Sequence, residues 1–203
     1  MIAIIDYRAG NLRSVERAIG HLSLECKVTD NIEEIVSARR VIFPGVGAAG
    51  KAMDTISELG LDRAMAKVIE QGKPFMGICL GTQIIFDRSE EDDTACLGFI
   101  PGVVRKFQSH NLKIPHMGWN SISVKHDHPI LESVDRQAQF YFVHSFYPDP
   151  LVQEDVIATT DYGIEFAAIT ARNNVVATQF HPEKSGRAGL KILENFCKWD
   201  GKL

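Results

Sequence analysis

Residues 77–81, with the sequence Gly-Ile-Cys-Leu-Gly, constrain the fold of this chain more than any other stretch. The apolar run before them, residues 73–78, is typical of a strand buried in a parallel sheet. After the motif, the closely spaced apolar positions of residues 82–86 predict a helix. A cysteine between two glycines at such a strand-to-helix corner has the form of a nucleophile elbow, with Cys in place of Ser.

The two glycines of this motif meet a steric demand. The nucleophile of an elbow lies in strained backbone, and the neighbouring turns crowd it, so we expect a Cβ atom at Gly77 or Gly81 to clash. Unpaired N–H groups and the dipole at a helix N-terminus favour the thiolate form of a cysteine such as Cys79. From this motif alone, a buried structural cysteine is an equally good interpretation, because free Cys is among the most buried residue types.

The first eighty residues alternate predicted strands and helices. Strands are predicted at 1–6, 25–29 and 41–43. Asn11 is a candidate cap for a helix that ends near His21, and Asp30 or Asn31 for a helix through Ala38. Two further helices are predicted between residues 48 and 71, separated at Gly60. This βαβαβ order predicts a parallel sheet with helices on both faces.

Beyond Gly98 the pattern changes to strands with few helices between them. They are predicted at 103–107, 121–124, 139–144, 156–160, 166–170 and 175–179, with a hairpin turn at 171–174 and a closing helix at 188–199. We therefore predict an α/β fold: a three-layer open mixed sheet with helices on both faces, a parallel N-terminal part and antiparallel C-terminal strands. No linker or repeat interrupts it, so a single domain is predicted over 1–203.

Charge and composition exclude several classes of function. The net charge is −4 and no long basic run occurs, so nothing points to nucleic acid. No stretch approaches the roughly eighteen apolar residues of a membrane span, and the N-terminus does not resemble a signal peptide, so we expect a cytoplasmic protein. The four cysteines are widely scattered and predicted to be reduced, and no metal or other cofactor is expected. The acidic stretch 89–94 is predicted to be solvent-exposed.

Two more stretches carry candidate functional residues. Residues 44–47 (Pro-Gly-Val-Gly) lie at the carboxyl end of a predicted strand, where parallel sheets bind ligands, although an ordinary turn has the same form. Their glycines leave the Val46 peptide planes free to adopt unusual orientations. Later, His181 and Glu183 flank Pro182. An imidazole can take a thiol proton and return it to a leaving amine, and a carboxylate can hold that imidazole in one tautomer. A His-x-Glu pair alone is a weak signal.

In combination, these motifs resemble the Cys-His-Glu triad of the class I glutamine amidotransferases. Within that family the sequence is most similar to the glutaminase subunits of imidazole glycerol phosphate synthase, an enzyme of histidine biosynthesis. The similarity runs from residue 2 to the final helix and includes Asp6-Tyr7, residues 10–12, 44–47, 77–81, 113–120, 141–145 and 178–185. The Pro-His-Met-Gly-Trp-Asn block at 115–120 separates it from the anthranilate and GMP synthase glutaminases.

The resemblance implies roles for individual residues. Cys79 would attack the glutamine side-chain amide, His181 would protonate the departing ammonia and then activate water, and Glu183 would orient His181. Backbone N–H groups at Leu80 and Gly47 would stabilise the oxyanion. The glutamine-binding positions it implies are Gly45, Gln83, His144, Ser145 and Phe146.

The resemblance also implies a partner, a (β/α)8-barrel cyclase that receives the ammonia through an internal passage. The interface positions it implies are Asn11, Lys113, Trp119, Asn120 and Lys184; for each, ordinary surface or core packing is the alternative. Three residues depart from the usual family pattern, namely Arg8 for glycine, Thr82 for methionine and Phe146 for tyrosine. Two other functions stay open: the same chemistry serving a related barrel that amidates a cell-surface sugar, and a catalytically silent scaffold.

Overall fold

The computed structural model describes residues 1–8, 12–108 and 112–202. In this part of the chain the strands are β1 (Ile2–Ile5), β2 (Cys26–Thr29), β3 (Arg40–Gly45), β4 (Phe75–Cys79), β5 (Arg88–Ser89), β6 (Thr94–Ala95), β7 (Gly102–Lys106), β8 (His116–Ser121), β9 (Ser123–Val124), β10 (Gln139–His144), β11 (Phe146–Pro150), β12 (Val156–Asp161), β13 (Glu165–Arg172) and β14 (Val175–Thr178). The helices are α1 (Leu12–His21), α2 (Ile32–Ser37), α3 (Ala49–Leu59), α4 (Leu61–Glu70), α5 (Leu80–Gln83) and α6 (Gly186–Lys198).

An eight-stranded mixed sheet forms the centre of the fold, in the order β2-β1-β3-β4-β14-β13-β12-β9. The strands from β2 to β14 in this order are parallel, whereas β14, β13, β12 and β9 pair in antiparallel fashion. The predicted fold, with a parallel N-terminal part and antiparallel C-terminal strands, is therefore confirmed.

Each face of the central sheet is covered by its own apolar layer. In β1, Ile2 and Ile4 belong to one layer, and Ala3 and Ile5 belong to the other, because successive side chains of a strand point to opposite faces. Helices α1 and α6 cover the first layer, and α2, α3 and α4 cover the second. Asn31 caps α2 as predicted, since its Oδ1 accepts a hydrogen bond from Glu34 N at 3.0 Å. The predicted cap Asn11 lies outside the described residues.

Two small sheets, which the sequence pattern did not predict, lie beside the central one. One pairs β8 with β10, and the other has the order β11-β7-β5-β6. Strand β11 contains Pro148 and Pro150, residues that normally argue against a strand. It is an edge strand, so a residue without an N–H group costs it no ladder bond on its open side.

Two local predictions were wrong. The predicted helix 82–86 is instead the short α5, which begins directly after Cys79 and ends at Gln83. The carbonyl groups of Ile84, Ile85 and Phe86 accept hydrogen bonds from backbone N–H groups of residues 97–100, so they are unavailable for a longer helix. The acidic stretch 89–94 is not simply exposed, because Ser89 is buried and the stretch joins β5 to β6.

Candidate active site

Cys79 lies at the point where β4 ends and α5 begins, at the carboxyl edge of the parallel strands. Its φ of 56° falls in the region that residues with a Cβ atom rarely adopt. Only 7% of its surface is exposed, so the sulfur is buried except towards a cavity that it lines. A strained cysteine at this corner has the geometry of a nucleophile elbow.

The glycines on either side of Cys79 are required by close backbone contacts. A Cβ atom added at Gly77 would lie 2.7 Å from Gly81 O, and one added at Gly81 would lie 2.0 Å from Phe43 O on β3. Both distances are too short for any side chain, which confirms the steric prediction. Gly45 also packs against this corner, since an added Cβ would lie 2.8 Å from Gly81 N.

His181 and Glu183 form a buried pair beside the cysteine. His181 Nδ1 lies 2.8 Å from Glu183 Oε1, within hydrogen-bond distance. The two side chains are 2% and 0% exposed. They follow β14, which runs parallel to β4 with Thr178 opposite Ile78. Two parallel strands end at the same edge of a sheet, so residues about a hundred positions apart meet there.

The charged form of His181 is favoured despite its burial. Burial alone would lower its pKa, but hydrogen-bonding and charge interactions with Cys79 and Glu183 outweigh burial and raise the pKa to about 9. The carboxylate of Glu183 therefore stabilises an imidazolium at this position. It also assigns the proton of neutral imidazole to Nδ1, which leaves Nε2 as the base.

Nε2 of His181 is buried and makes no hydrogen bond of ordinary geometry within the described residues. Interaction with Cys79 is nevertheless one of the causes that raise the pKa of His181. We conclude that the sulfur lies beside the ring but is not aligned with Nε2 in this resting state; catalytic hydrogen bonds often tighten only when substrate binds.

A cavity of about 370 Å³ opens at this corner. Besides Cys79 and His181, the predicted site residues that line it are Gly47, Leu80, Gln83, His144, Ser145 and Phe146. Gly45 lies beneath the elbow rather than in the lining, so its predicted contact with glutamine stays a prediction. A larger cavity, of about 540 Å³, lies among residues 122–136, but neither Cys79 nor His181 lines it. Size alone therefore does not identify the site.

Glu91 lines the same cavity and was missed at the sequence level. Its Oε2 accepts a hydrogen bond from Ala49 N at 2.6 Å, at the first residue of α3. This bond satisfies one of the unpaired N–H groups of the helix and places a carboxylate near the glycine loop. Nothing in the run of acidic residues at 90–93 distinguishes Glu91 from its neighbours.

Gln179, also missed, reaches the sulfur. Gln83 Nε2 donates to the carbonyl of Phe146 at 2.9 Å and to Gln179 Oε1 at 3.1 Å. Since a carbonyl can only accept, Gln83 must present its nitrogen there, and Gln179 must present its oxygen to Gln83. Nε2 of Gln179 is thus turned towards Cys79 Sγ, at 3.9 Å. The only sequence signal for Gln179 is its position two residues before His181.

His144, which lines the cavity, forms a buried pair with His116. His144 Nδ1 is 2.7 Å from the carbonyl of Phe146, and its Nε2 is 3.0 Å from His116 Nδ1. The carbonyl requires a proton on His144 Nδ1, so His116 Nδ1 must donate to His144 Nε2. Burial lowers the pKa of His144 to about 3 and that of His116 to about 4, which keeps both rings neutral.

Two of the predicted interface residues, Trp119 and Lys184, lie near the ring of Tyr141. Trp119 is 54% exposed, and its ring centroid lies 6.0 Å from that of Tyr141. Nζ of the exposed Lys184 lies 6.0 Å from the centre of the same ring. Lys113 is exposed, whereas Asn120 is half-buried and donates to the carbonyl of Asp161 at 2.8 Å. Asn11 lies outside the described residues.

The three residues that depart from the family pattern have clear places in the structure. Arg8 has a φ of 63°, a conformation in which glycine has no steric penalty. The hydroxyl of Thr82 donates to the carbonyl of Thr178 at 2.6 Å and so joins the elbow to β14. Phe146 contributes its carbonyl oxygen to Gln83 and His144, contacts that do not depend on its side chain.

Within 1–8, 12–108 and 112–202, no three His, Cys, Asp or Glu side chains cluster in a way that could hold a metal ion. In the same ranges no helix is both long and apolar enough to cross a membrane.

Comparison with known proteins identifies the family to which this chain is similar. Residues 3–199 match the family described as glutamine amidotransferase class-I. The chain is 48% identical to imidazole glycerol phosphate synthase subunit HisH of Nitratidesulfovibrio vulgaris, covering 98% of this chain and 96% of that protein. It is 46% identical to the subunit of the same name from Dehalococcoides mccartyi, covering 98% and 97%.

Solved structures of more distant sequence share the fold. PurLQS from Thermotoga maritima superposes with a TM-score of 0.78 at 18% identity, covering 97% of each chain. The glutaminase domain of Trypanosoma brucei CTPS with bound acivicin superposes with a TM-score of 0.68 at 15% identity, covering 98% of this chain and 94% of that one.

Proposed function

The chain belongs to the class I glutamine amidotransferase family, and from that premise we propose that it is the glutaminase subunit of an imidazole glycerol phosphate synthase. It would form one glutaminase domain over residues 1–203. It would hydrolyse glutamine to glutamate and ammonia and pass the ammonia to a cyclase in histidine biosynthesis. The holoenzyme so formed is a lyase-type synthase, whereas the chemistry of this chain is hydrolytic.

Cys79, His181 and Glu183 each have a separate role in the hydrolysis. The Cys79 thiolate attacks the side-chain amide carbonyl of glutamine, and His181 as imidazolium protonates the departing ammonia. The neutral imidazole then removes a proton from the water that hydrolyses the glutamyl thioester. Glu183 holds His181 in the required tautomer through Nδ1 and stabilises its charged form.

The negative charge that develops on the amide oxygen needs donors beside Cys79. The N–H of Leu80, the residue after the nucleophile, is one, and the N–H of Gly47 is the other. Leu80 and Gly47 both line the cavity that Cys79 lines, which supports this assignment. Removing one such donor in related acyl-transfer chemistry costs roughly 3 kcal/mol of transition-state stabilisation.

The cavity also offers groups for the amino-acid end of glutamine. The carboxylate of Glu91 is suited to the α-ammonium group because the two charges are opposite. Both hydrogens of Gln83 Nε2 are already donated within the protein, so its oxygen is the atom left for a ligand. His144, Ser145 and Phe146 also line the cavity, and their backbone would hold the amino-acid end of glutamine.

The ammonia released at Cys79 must be kept from water, where it would become ammonium and lose its nucleophilicity. We assign the side of the molecule that carries Trp119 and Lys184 to the (β/α)8-barrel cyclase. Met117 and Trp119 are exposed apolar residues at alternate positions of β8, and this strand begins directly after Pro115, which lines the cavity. The cyclase would use the ammonia on the phosphoribulosyl form of an aminoimidazole carboxamide ribonucleotide. Its products would be imidazole glycerol phosphate and the released carboxamide nucleotide.

The observation that carries the proposal is the buried His181–Glu183 pair beside a strained Cys79 on one cavity. Cys79→Ala should reduce glutamate release by ~10⁴-fold or more, to background, because no other group can form the thioester. Ammonia-driven synthesis by the cyclase should persist in the same complex. Cys26→Ala is the matched control, since Cys26 lies on β2 at the far edge of the sheet. Hydrolysis of glutamine by the Cys79 variant would show that the nucleophile is wrong.

A second measurement tests the partner. Glutamate release is measured with the chain alone, with a histidine-pathway cyclase, and with a barrel that amidates a cell-surface sugar. Activity raised steeply by the histidine-pathway cyclase alone is the expected result. Activation by the sugar-pathway barrel instead would assign the chain to the other acceptor. Activity that depends on no partner would refute the assignment of the Trp119 and Lys184 side to the cyclase. No activity with any partner would favour the catalytically silent scaffold.

A further inference from the structure

The hydroxyl group of Tyr7 binds the same residue twice. It accepts a hydrogen bond from Val46 N at 2.9 Å and donates one to Val46 O at 2.9 Å. Tyr7 lies two residues beyond the end of β1, and Val46 directly follows β3, so the two bonds join the chain just past the ends of two neighbouring strands. The mechanism proposed for glutamine hydrolysis does not use Tyr7.

A phenol is suited to this double contact because one oxygen atom both accepts and donates. Tyr7 is 2% exposed, and its ring packs on Phe43 with centroids 5.0 Å apart. Burial, reinforced by the charge of Cys79 and opposed by the bond to Val46, raises the pKa of Tyr7 to about 12. The hydroxyl therefore keeps its proton and its ability to donate at physiological pH.

The double contact determines where the next N–H group points. In a trans peptide the carbonyl oxygen and the following N–H lie on opposite sides of the bond. Since Val46 O faces Tyr7, the N–H of Gly47 faces away from Tyr7. Gly47 has a φ of 103°, which only glycine adopts without strain, and it lines the cavity with Cys79.

We propose that Tyr7 is a positioning residue that holds the Val46 peptides so that the N–H of Gly47 is presented to the oxyanion. The proposal rests on the proposed function, because it concerns the oxyanion of glutamine hydrolysis. Val46 is flanked by two glycines and has no other hydrogen bond among those described for the loop. Without the hydroxyl, its peptides would exchange between orientations and present the donor for only part of the time.

Tyr7→Phe removes the hydroxyl and keeps the ring against Phe43. With the cyclase present, we expect kcat for glutamine to fall about tenfold, because one oxyanion donor loses its fixed orientation, and KM to stay within twofold. Alkylation of Cys79 by iodoacetamide needs the thiolate but no oxyanion donor, so its rate should not change. Tyr147→Phe is the matched control: it removes the hydroxyl of a ring that packs on Phe107, with centroids 4.7 Å apart, and that lies outside the cavity lining.

Three results would overturn the proposal. An unchanged kcat would show that the hydroxyl is not needed, and a raised kcat would show that it holds the loop in an unproductive orientation. A fall in kcat matched by an equal fall in alkylation would show that Tyr7 supports the elbow instead. Failure of the proposed function is seen separately, since the unaltered chain would then release no glutamate with its cyclase.

Discussion

The two corners that meet at the cavity are built in different ways. The nucleophile corner, residues 77–83, depends on backbone atoms packed at van der Waals distance, with Gly81 against Phe43 O. The base corner, residues 179–185, has one close contact of this kind, since a Cβ atom at Gly189 would lie 2.0 Å from Pro182 O, but the residues around His181 are held by hydrogen bonds. His181 N donates to Tyr141 O at 2.9 Å, and the Ser185 hydroxyl donates to His181 O at 2.6 Å and accepts from Tyr141 N at 3.0 Å.

This difference determines how each corner should respond to change. A steric contact between backbone atoms admits no added methyl group, so a substitution there should fail abruptly. A hydrogen-bonded corner loses one bond at a time, and each bond contributes about 1 kcal/mol net. The nucleophile corner should therefore be all-or-none, whereas the base corner should weaken in steps and respond to pH.

The largest effect is expected at the nucleophile corner. Gly81→Ala places a Cβ atom 2.0 Å from Phe43 O on β3. Gly81 lies two residues beyond the end of β4, so the two segments cannot separate without breaking the β3–β4 pairing. We expect the free energy of unfolding to fall by about 3 kcal/mol or more, measured by urea titration. Gly20→Ala is the control, because its Cβ would meet nothing within 4 Å in α1 and should stabilise the chain by ~0.5–1 kcal/mol. A mild effect at Gly81 would remove the distinction between the corners.

The second effect concerns pH at the base corner. The pKa of His181 is raised to about 9 from an ordinary value of 6.5, so the folded state binds this proton more tightly than the unfolded state does. The resulting stabilisation, about 3 kcal/mol at most, is fully present below pH 6.5 and is lost as the pH rises through 9.

Glu183→Gln isolates this contribution. The uncharged amide no longer stabilises the imidazolium, so the pKa of His181 should fall, and the loss of stability between pH 6.5 and 9 should shrink. The neutral pair His116 and His144 should interfere little, because the pKa of each ring is lowered from 6.5, to about 4 and about 3, and such a group changes stability chiefly between its folded value and 6.5. The unfolding free energies of both proteins are compared at several pH values; parallel curves would contradict the prediction.

The smallest effect is expected from Ser185→Ala. The variant removes the hydroxyl that joins His181 O to Tyr141 N, leaving two buried backbone groups with one partner fewer. We expect a loss of ~1–3 kcal/mol in the free energy of unfolding, with the fold retained. Ser37→Ala removes an exposed hydroxyl that donates to Glu34 O at 3.1 Å and should change stability by less than ~0.5 kcal/mol. Equal effects of the two serines would show that burial does not matter here.

Most of the architecture could be predicted because its determinants are local. Strand β10 has the predicted bounds 139–144, and Asn173 takes the positive φ that the predicted hairpin turn requires. Strand β11 could not be predicted, because its prolines are acceptable only at a sheet edge, and the edge exists only in the folded chain. Glu91 could not be predicted as a cavity residue for a related reason: an acidic run does not indicate which carboxylate will face the cavity.

The amino-acid sequence by itself determined the α/β order, the elbow at Cys79 and the candidate partners His181 and Glu183. These features follow from side-chain periodicity and from steric limits that act within a few residues. Only the tertiary structure decided that Gln179 faces the sulfur and that Tyr7 holds Val46 from both sides. The direction of a hydrogen bond depends on which distant groups a fold brings within about 3 Å, and no local pattern encodes that distance.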